Sequence, residues 1–431
     1  MGNINIESKL VTESEGRKIV SKNIILLLMG QLVSLFGSSV YSFAISLYIL
    51  EVTGSGLSFS LSLVLSTLPR VILGPISGVV SDKMDRKKLV VAMDILSGVV
   101  VLLLFSMSMI DELRLGYIYA TTVLLSVCNT FFSTPLSASI PNLVDDKSLT
   151  KINSLNQSVA SLASIAGPFI GGIVFAIIDM KLFLFINGLS FIFSGISEIF
   201  IDFRAREKIY GKMTSNNLSK NSFMQDLKEG FVYIATQRWL IILGSFVVFI
   251  NLFVMMGLTV PLPYIAREVL GFSSQEYGML NSTFPLSMLI VSVMLSLMKQ
   301  KEKNYGRLIK CLSFFGISVI AIGIVTSGIF PSLTNPQYLV ILMFFNAIIA
   351  ACCVFINVPV GVTMQKLVPN EKLGRVQGVF GTLAMGLSPI GAIVAGALID
   401  VVKPYMLPIV SGTLILLIVI VMTQSKELKK I

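Results

Sequence analysis

One arginine and three carboxylates in this 431-residue chain stand where charge is costly, and they bound the chemistry open to it. Arg70 follows Pro69 in the middle of the otherwise uncharged run 57–81. It is about a dozen residues from either end, or roughly 18 Å along a helix, too far for the side chain to reach water freely. In lipid such an arginine costs ~2.5–3.5 kcal/mol and usually faces a cavity or a partner. Arg70 is therefore expected to border a water-filled cavity, where it could repel protons or cations or bind an anionic substrate group. The alternative is that it ties down carbonyls freed by Pro69 or Pro75. Asp94, Glu198 and Glu51 lie near the ends of apolar runs, close enough to an interface for solvation, as structural anchors or as carriers of a proton. Asp94 is the first choice, because it lies beside a loop holding Asp82 and Arg86. There is no histidine, so histidine-based triads and dyads are excluded. Cys128, Cys311, Cys352 and Cys353 show no ligand spacing, which argues against a metal centre or a disulfide framework.

The elements that must carry these residues follow from composition. Hydrophobic residues make up 54 % of the chain and charged ones 13 %, about half the roughly 25 % charge of a soluble domain. That apolar content is close to what twelve spans of ~20 residues require. The apolar runs are 23–50, 57–81, 89–110, 115–136, 155–178 and 182–201, then 239–266, 275–298, 308–330, 338–362, 378–399 and 405–424. No small-residue cleavage site follows the first, so it reads as a retained helix. The expectation is an all-α integral membrane protein with twelve transmembrane helices.

Lysine and arginine placement tests that count, since cytoplasmic loops collect them. With the N-terminus inside, cytoplasmic segments hold 28 of the 33 basic residues and external loops hold Arg114, Lys181, Arg267 and Lys403. Both ends are expected in the cytoplasm, as residues 1–22 and 425–431. The interval 202–238 divides the spans into halves at 23–201 and 239–424. Its second part reads as an amphipathic helix at the membrane surface, with Ser222 and Gln225 as a capping box. Phe223, Leu227, Phe231 and Ile234 recur on one face.

The halves resemble each other. At an offset of 224, Cys128 meets Cys352, Phe131 meets Phe355 and Pro135 meets Pro359; at 221, Pro168 meets Pro389 and Asp179 meets Asp400. Parallel six-helix repeats place a substrate site near the bilayer midplane, where the halves meet.

Two motifs carry a family resemblance. Gly78, Asp82, Arg86, Lys87 and Lys88 match the G-x-x-x-D-R/K-x-G-R-K/R loop of the major facilitator superfamily, with Asp85 where the pattern often has glycine. Gly78 would allow close helix approach, and Asp82 could face a helix N-terminus and pair with Arg86. Gly167, Pro168, Gly171 and Gly172 resemble the core of that superfamily's antiporter motif, with Ala163 and Ser154 replacing two of its glycines. With Leu68-Pro69-Arg70, Ile140-Pro141-Asn142-Leu143 and Asp226-Leu227-Lys228-Glu229-Gly230-Phe231, the chain resembles the drug:proton antiporter branch that includes macrolide-efflux and siderophore-exporter proteins. The fourth span lacks the arginine that many drug antiporters carry, which leaves the family's proton relay without a match.

The resemblance implies two pseudo-symmetric six-helix bundles with helices one, four, seven and ten around a central cavity. Polar or aromatic residues on them are Gln31 and Tyr41, Asn129 and Phe132, Asn251 and Phe253, and Asn346 and Asn357. They either line the cavity, which would suit bulky apolar or weakly basic compounds, or only bridge helices. The expected function is proton-coupled export of hydrophobic or amphipathic, drug- or macrolide-like molecules across the plasma (inner) membrane by alternating access. The second transport reading is an importer, or a carrier of siderophores or lipid-like solutes. A membrane sensor or enzyme is the reading from another class. No cofactor is expected, the proton gradient supplying the energy. The expected partners are a small-molecule substrate and the lipid bilayer, without nucleic acid, the chain working as a monomer.

Overall fold

A computed structural model describes residues 2–111, 113–143, 146–202, 223–297, 305–330 and 332–425, and among these the regular structure is helical throughout. The helices are α1 (Gly2–Thr53), α2 (Gly56–Lys83), α3 (Arg86–Ile110), α4 (Leu115–Leu143), α5 (Asp146–Ile177), α6 (Met180–Ile199) and α7 (Phe223–Thr236). There follow α8 (Arg238–Val254), α9 (Ser274–Leu297), α10 (Tyr305–Val325), α11 (Asn335–Leu367), α12 (Asn370–Met385), α13 (Ser388–Ile399) and α14 (Met406–Gln424). Eleven stretches of the described chain are long and apolar enough to cross a membrane, and a shorter apolar helix, Ser161–Ile177 within α5, takes the fifth place in chain order. The eleventh crossing, Val376–Ile399, is shared by α12 and α13. A helix satisfies its own backbone, which lipid demands.

The first apolar run is the C-terminal part of a helix that begins at Gly2. The seventh crossing extends to Val269 through two π-helical turns, Met255–Thr259 and Ile265–Val269. Pro261 and Pro263 lie between those turns and lack the N–H that a regular helix would use. The ladder is re-registered by Val260 N donating to Met255 O at 3.3 Å and Leu270 N to Ile265 O at 2.8 Å. The helix expected near residue 223 is present as α7. Its Ile234 is buried with Leu240, Met364, Val368 and Val376, whereas Phe231 is exposed. Ser222 lies outside the described residues, as do the side chains of Phe223, Gln225 and Leu227.

Short connections are set by local chemistry. Gly54 has φ +59° between α1 and α2, a conformation that L side chains rarely adopt. Asp85 is the N-cap of α3 and accepts from Lys87 N (3.0 Å) and Lys88 N (3.3 Å). This gives a reason for aspartate where the loop motif often has glycine. Asp85→Ala should cost about 1 kcal/mol of stability and Asp85→Gly only a few tenths. Thermal unfolding of the purified variants checks this, and an alanine variant as stable as the glycine variant would remove the cap from the account.

The chain forms two compact units by packing. One comprises Met1–Ser42, Leu68–Gly167 and Ile178–Lys220; the other comprises Phe43–Thr67, Pro168–Ile177 and Asn221–Ile431. In the first, Leu27, Val90, Phe132, Leu136, Ile140, Ile152 and Ile201 form a core. There α3 and α6 cross closely at Gly98 and Gly188: a Cβ on Gly98 would lie 2.8 Å from Gly188 O. In the second, Phe43 and Leu47 of α1 pack with Leu258, Leu262, Phe272, Tyr277 and Phe315, and the Phe43 and Tyr277 rings stack at 5.1 Å. The Gly56 end of α2 joins α13, where Asp400 accepts from Ser55 Oγ (2.9 Å), Gly56 N (2.9 Å) and Leu57 N (3.3 Å). Asp179, its repeat counterpart, caps its own helix α6.

Candidate proton and substrate sites

Asp94 and Glu198, expected near solvent, are instead buried inside the first unit, with relative exposures of 2 % and 1 %. Asp94 is eight residues into α3, roughly 12 Å along it, and Glu198 is in the last turn of α6. The serines of α1 and α6 join them. Ser34 Oγ donates to Asp94 Oδ2 at 2.6 Å, lies 2.9 Å from Ser194 Oγ, and Ser194 Oγ donates to Gly30 O at 3.0 Å. Glu198 follows Ser194 by one turn, and its Oε1 would lie 3.3 Å from a Cβ on Gly30. The two carboxylates feel each other's charge. Among the described residues no lysine or arginine pairs with either, and Glu198 Oε2 is buried without a hydrogen-bond partner. Glu198 also faces the unfavourable end of the α6 dipole. Cys128 of α4 lies close to Asp94 and to Ser97 of α3. Small residues at Gly30 and Gly195 let α1 and α3 approach α6 here, since a Cβ on Gly195 would meet Ile95 at 2.8 Å.

A clamp follows Glu198 along the chain. Asn23 Nδ2 donates to Asp202 O and Asp202 N donates to Asn23 Oδ1, both at 3.1 Å, so one side-chain amide ties the start of the first apolar run to the chain leaving α6. Ile201, beside it, is fully buried. The sequence marked Asn23 only as the edge of an apolar run.

Arg70 is exposed, and its Nη2 donates to Asn129 Oδ1 of α4 at 3.1 Å. The bond goes to that side chain and not to a carbonyl freed by proline. About two turns further on, Ser77 Oγ donates to Thr130 O at 3.0 Å, holding α2 and α4 together.

The other cavity candidates are dispersed. Gln31 is half-buried, with a buried Oε1 that has no partner among the described residues. Tyr41 is buried, and Phe132 is packed inside the first unit's core. In the second unit Asn251 Nδ2 returns to Val247 O of its own helix at 3.0 Å, and Phe253 packs against the main core. Asn346 is buried and bridges α11 to Leu280 O of α9 at 3.1 Å, while Asn357 is exposed. Glu51 is exposed and pairs with Arg267 at 3.1 Å, an anchoring contact away from the buried pair.

In the loop motif Gly78 is half-buried within α2, Lys87 is half-buried in the first turn of α3, and Arg86 Nε donates to Ser81 O at 3.2 Å. The side chain of Asp82 lies outside the described residues. The antiporter-like glycines each meet a different neighbour. A Cβ on Gly167 would overlap Ser39, one on Gly171 would touch Phe43 at 3.0 Å, and one on Gly172 would overlap the Ser274 carbonyl. Pro168 lies inside α5 among them.

Eleven membrane-length apolar helices and a shorter one make this an integral membrane protein. The model of the Major Facilitator Superfamily matches residues 27–392, and the chain belongs to that family. It is similar to macrolide efflux protein A of Streptococcus pyogenes, 26 % identical over 413 residues that cover 93 % of this chain and 95 % of that one. Similarity also extends to the uncharacterized MFS-type transporter YfiS of Bacillus subtilis strain 168, at 24 % identity with 94 % of each chain covered. Among solved structures, the nucleoside transporter NupG superimposes with a TM-score of 0.70 at 12 % identity, covering 94 % of this chain and all of that one. A bacterial homologue of the iron transporter ferroportin gives 0.69 at 15 %, covering 94 % and 99 %. At such identity these two bear on the fold alone.

Proposed function

We propose that the chain is a proton-coupled exporter of hydrophobic or amphipathic small molecules, working by alternating access of its two six-helix halves in the plasma membrane. In this reading both ends face the cytoplasm, the monomer is the working unit, and the proton gradient replaces any cofactor. The family supports transport, and the relatives named for macrolide efflux support the outward direction.

The observation that carries proton coupling is the hydrogen count around Asp94. Three oxygen contacts run from Asp94 through Ser34 and Ser194 to Gly30 O, but the two serine hydroxyls supply only two protons. A proton on Asp94 completes the chain: Asp94 donates to Ser34, Ser34 to Ser194, and Ser194 to the carbonyl. Two buried carboxylates without a cation are electrostatically stable only with a proton between them. Loss of that proton leaves a contact unmade and a charge uncompensated, so the two protonation states favour different packing of α1, α3 and α6. That differential is what a coupling site requires.

The test is uptake of radiolabelled erythromycin into inverted membrane vesicles, whose lumen corresponds to the outside of the cell. An acid lumen should drive accumulation, and nigericin should abolish it. Uptake driven by acid outside right-side-out vesicles would establish import instead, and accumulation indifferent to nigericin would remove the proton.

A further inference from the structure

We propose that Arg70 and Asn129 form an anion subsite, which takes the carboxylate, sulfonate or phosphate group of an otherwise apolar substrate. The inference rests on the transport reading above and adds the charge of the molecule carried.

Three observations support it. First, Arg70 is 14 residues from Gly56 and 13 from Lys83, the two ends of α2, or about 20 Å from either. The guanidinium is therefore held at mid-helix. Second, α2 has two distinct faces. Its exposed apolar residues Leu57, Leu61, Leu68, Ile72 and Ile76 form one stripe. At about 100° per residue, Arg70 projects roughly opposite that stripe. On the same side as Arg70, Ser77 is buried against Thr130 of α4. The apolar stripe suits lipid, so the exposed arginine is on the side turned away from it. Third, Arg70 has no carboxylate partner among the described residues, and its hydrogen bond goes to a neutral amide oxygen.

A guanidinium carries five N–H donors in a fixed fork that fits oxyanions two bonds at a time. The bond to Asn129 occupies one donor and orients the group. An exposed cation at this depth is stabilised by water when the site is empty and by an anion when it is filled. It repels cationic amphiphiles for the same reason.

The anion could be a solute or the headgroup of an acidic lipid, and matched probes separate the two. Dansylglycine (a carboxylate), dansylglycinamide (neutral) and dansylethylenediamine (cationic) differ little in size. Their equilibrium binding to the purified protein in phosphatidylcholine nanodiscs is read by dansyl fluorescence, with no gradient imposed. The wild type should bind the carboxylate about tenfold more tightly than the amide, as a charge-assisted bond implies. Arg70→Lys should keep part of that preference. Arg70→Gln and Arg70→Leu should lose it, binding dansylglycine no more tightly than dansylglycinamide. If phosphatidylglycerol in the nanodisc abolishes the preference, the occupant is a lipid headgroup; if the preference survives, it is a solute. Either result places an anion on Arg70. A wild type without preference, or a preference that survives in Arg70→Leu, overturns the subsite. Because binding is measured without a gradient, failure of the export or coupling reading would leave this result standing.

Discussion

Asp94→Asn and Glu198→Gln should each abolish gradient-driven accumulation while leaving the protein in the membrane. An amide at 94 mimics the protonated acid: its Nδ2 donates to Ser34 as the carboxyl proton would, and the chain to Gly30 O stays complete. The variant is thus held in the proton-loaded arrangement without a buried charge to destabilise it. For each coupled proton removed, an imposed difference of one pH unit loses about a tenfold accumulation ratio. In proton-driven export the proton-loaded carrier returns without cargo, so substrate–substrate exchange at equal pH should fall in both variants as well. Asp94→Glu, which keeps a titratable group, should retain part of both activities. Ser34→Ala removes the middle of the chain and should weaken coupling by only a few-fold. The measurement is erythromycin accumulation and exchange in the same inverted vesicles. Undiminished accumulation in both carboxylate variants would sink the proposal.

The second large effect is expected at Gly172. The backbone of α5 there lies against the backbone of α9: Gly278 Cα would be 3.3 Å from a Cβ at Gly172, and a Cβ at Gly278 would be 2.8 Å from Pro168 O. Main chain on both sides cannot move aside as a side-chain tip can, so overpacking should exceed the ~1–3 kcal/mol of an ordinary core. Gly172→Val should therefore lower the unfolding midpoint by several degrees or prevent accumulation of folded protein. Gly74→Val is the matched control, because nothing lies within 4 Å of its would-be Cβ. A thiol-reactive fluorogenic dye reads the transition, since all four cysteines lie in apolar helices. Equal midpoints for the two variants would show that the α5–α9 crossing yields.

Much of the fold was legible because each part of the signal is local. Apolar runs and the spacing of Lys and Arg between them need no knowledge of tertiary contacts, and the loop motif after the second run is contiguous. The antiporter-like glycines were legible as a contiguous motif, though not which helices they meet. The carboxylate pair was not legible. Asp94 and Glu198 are 104 residues apart, and distance from a run's end gave the wrong burial for both. Depth along a helix says nothing of what covers its flank, and here α1 covers both residues. A faint signal existed in Ser194 and Glu198, one turn apart on a single face. Asp85 carries a local cap signal in its place just before Arg86-Lys87-Lys88-Leu89. The re-registered seventh helix was hidden because Pro261 and Pro263 constrain the ladder without interrupting the apolar run.

The Asn23–Asp202 clamp couples two segments mechanically. An amide that both donates to and accepts from one residue holds it by two bonds that break together. The start of the first apolar run and the chain leaving α6 therefore shift as one piece, and any motion that parts them must give up both bonds in a single step.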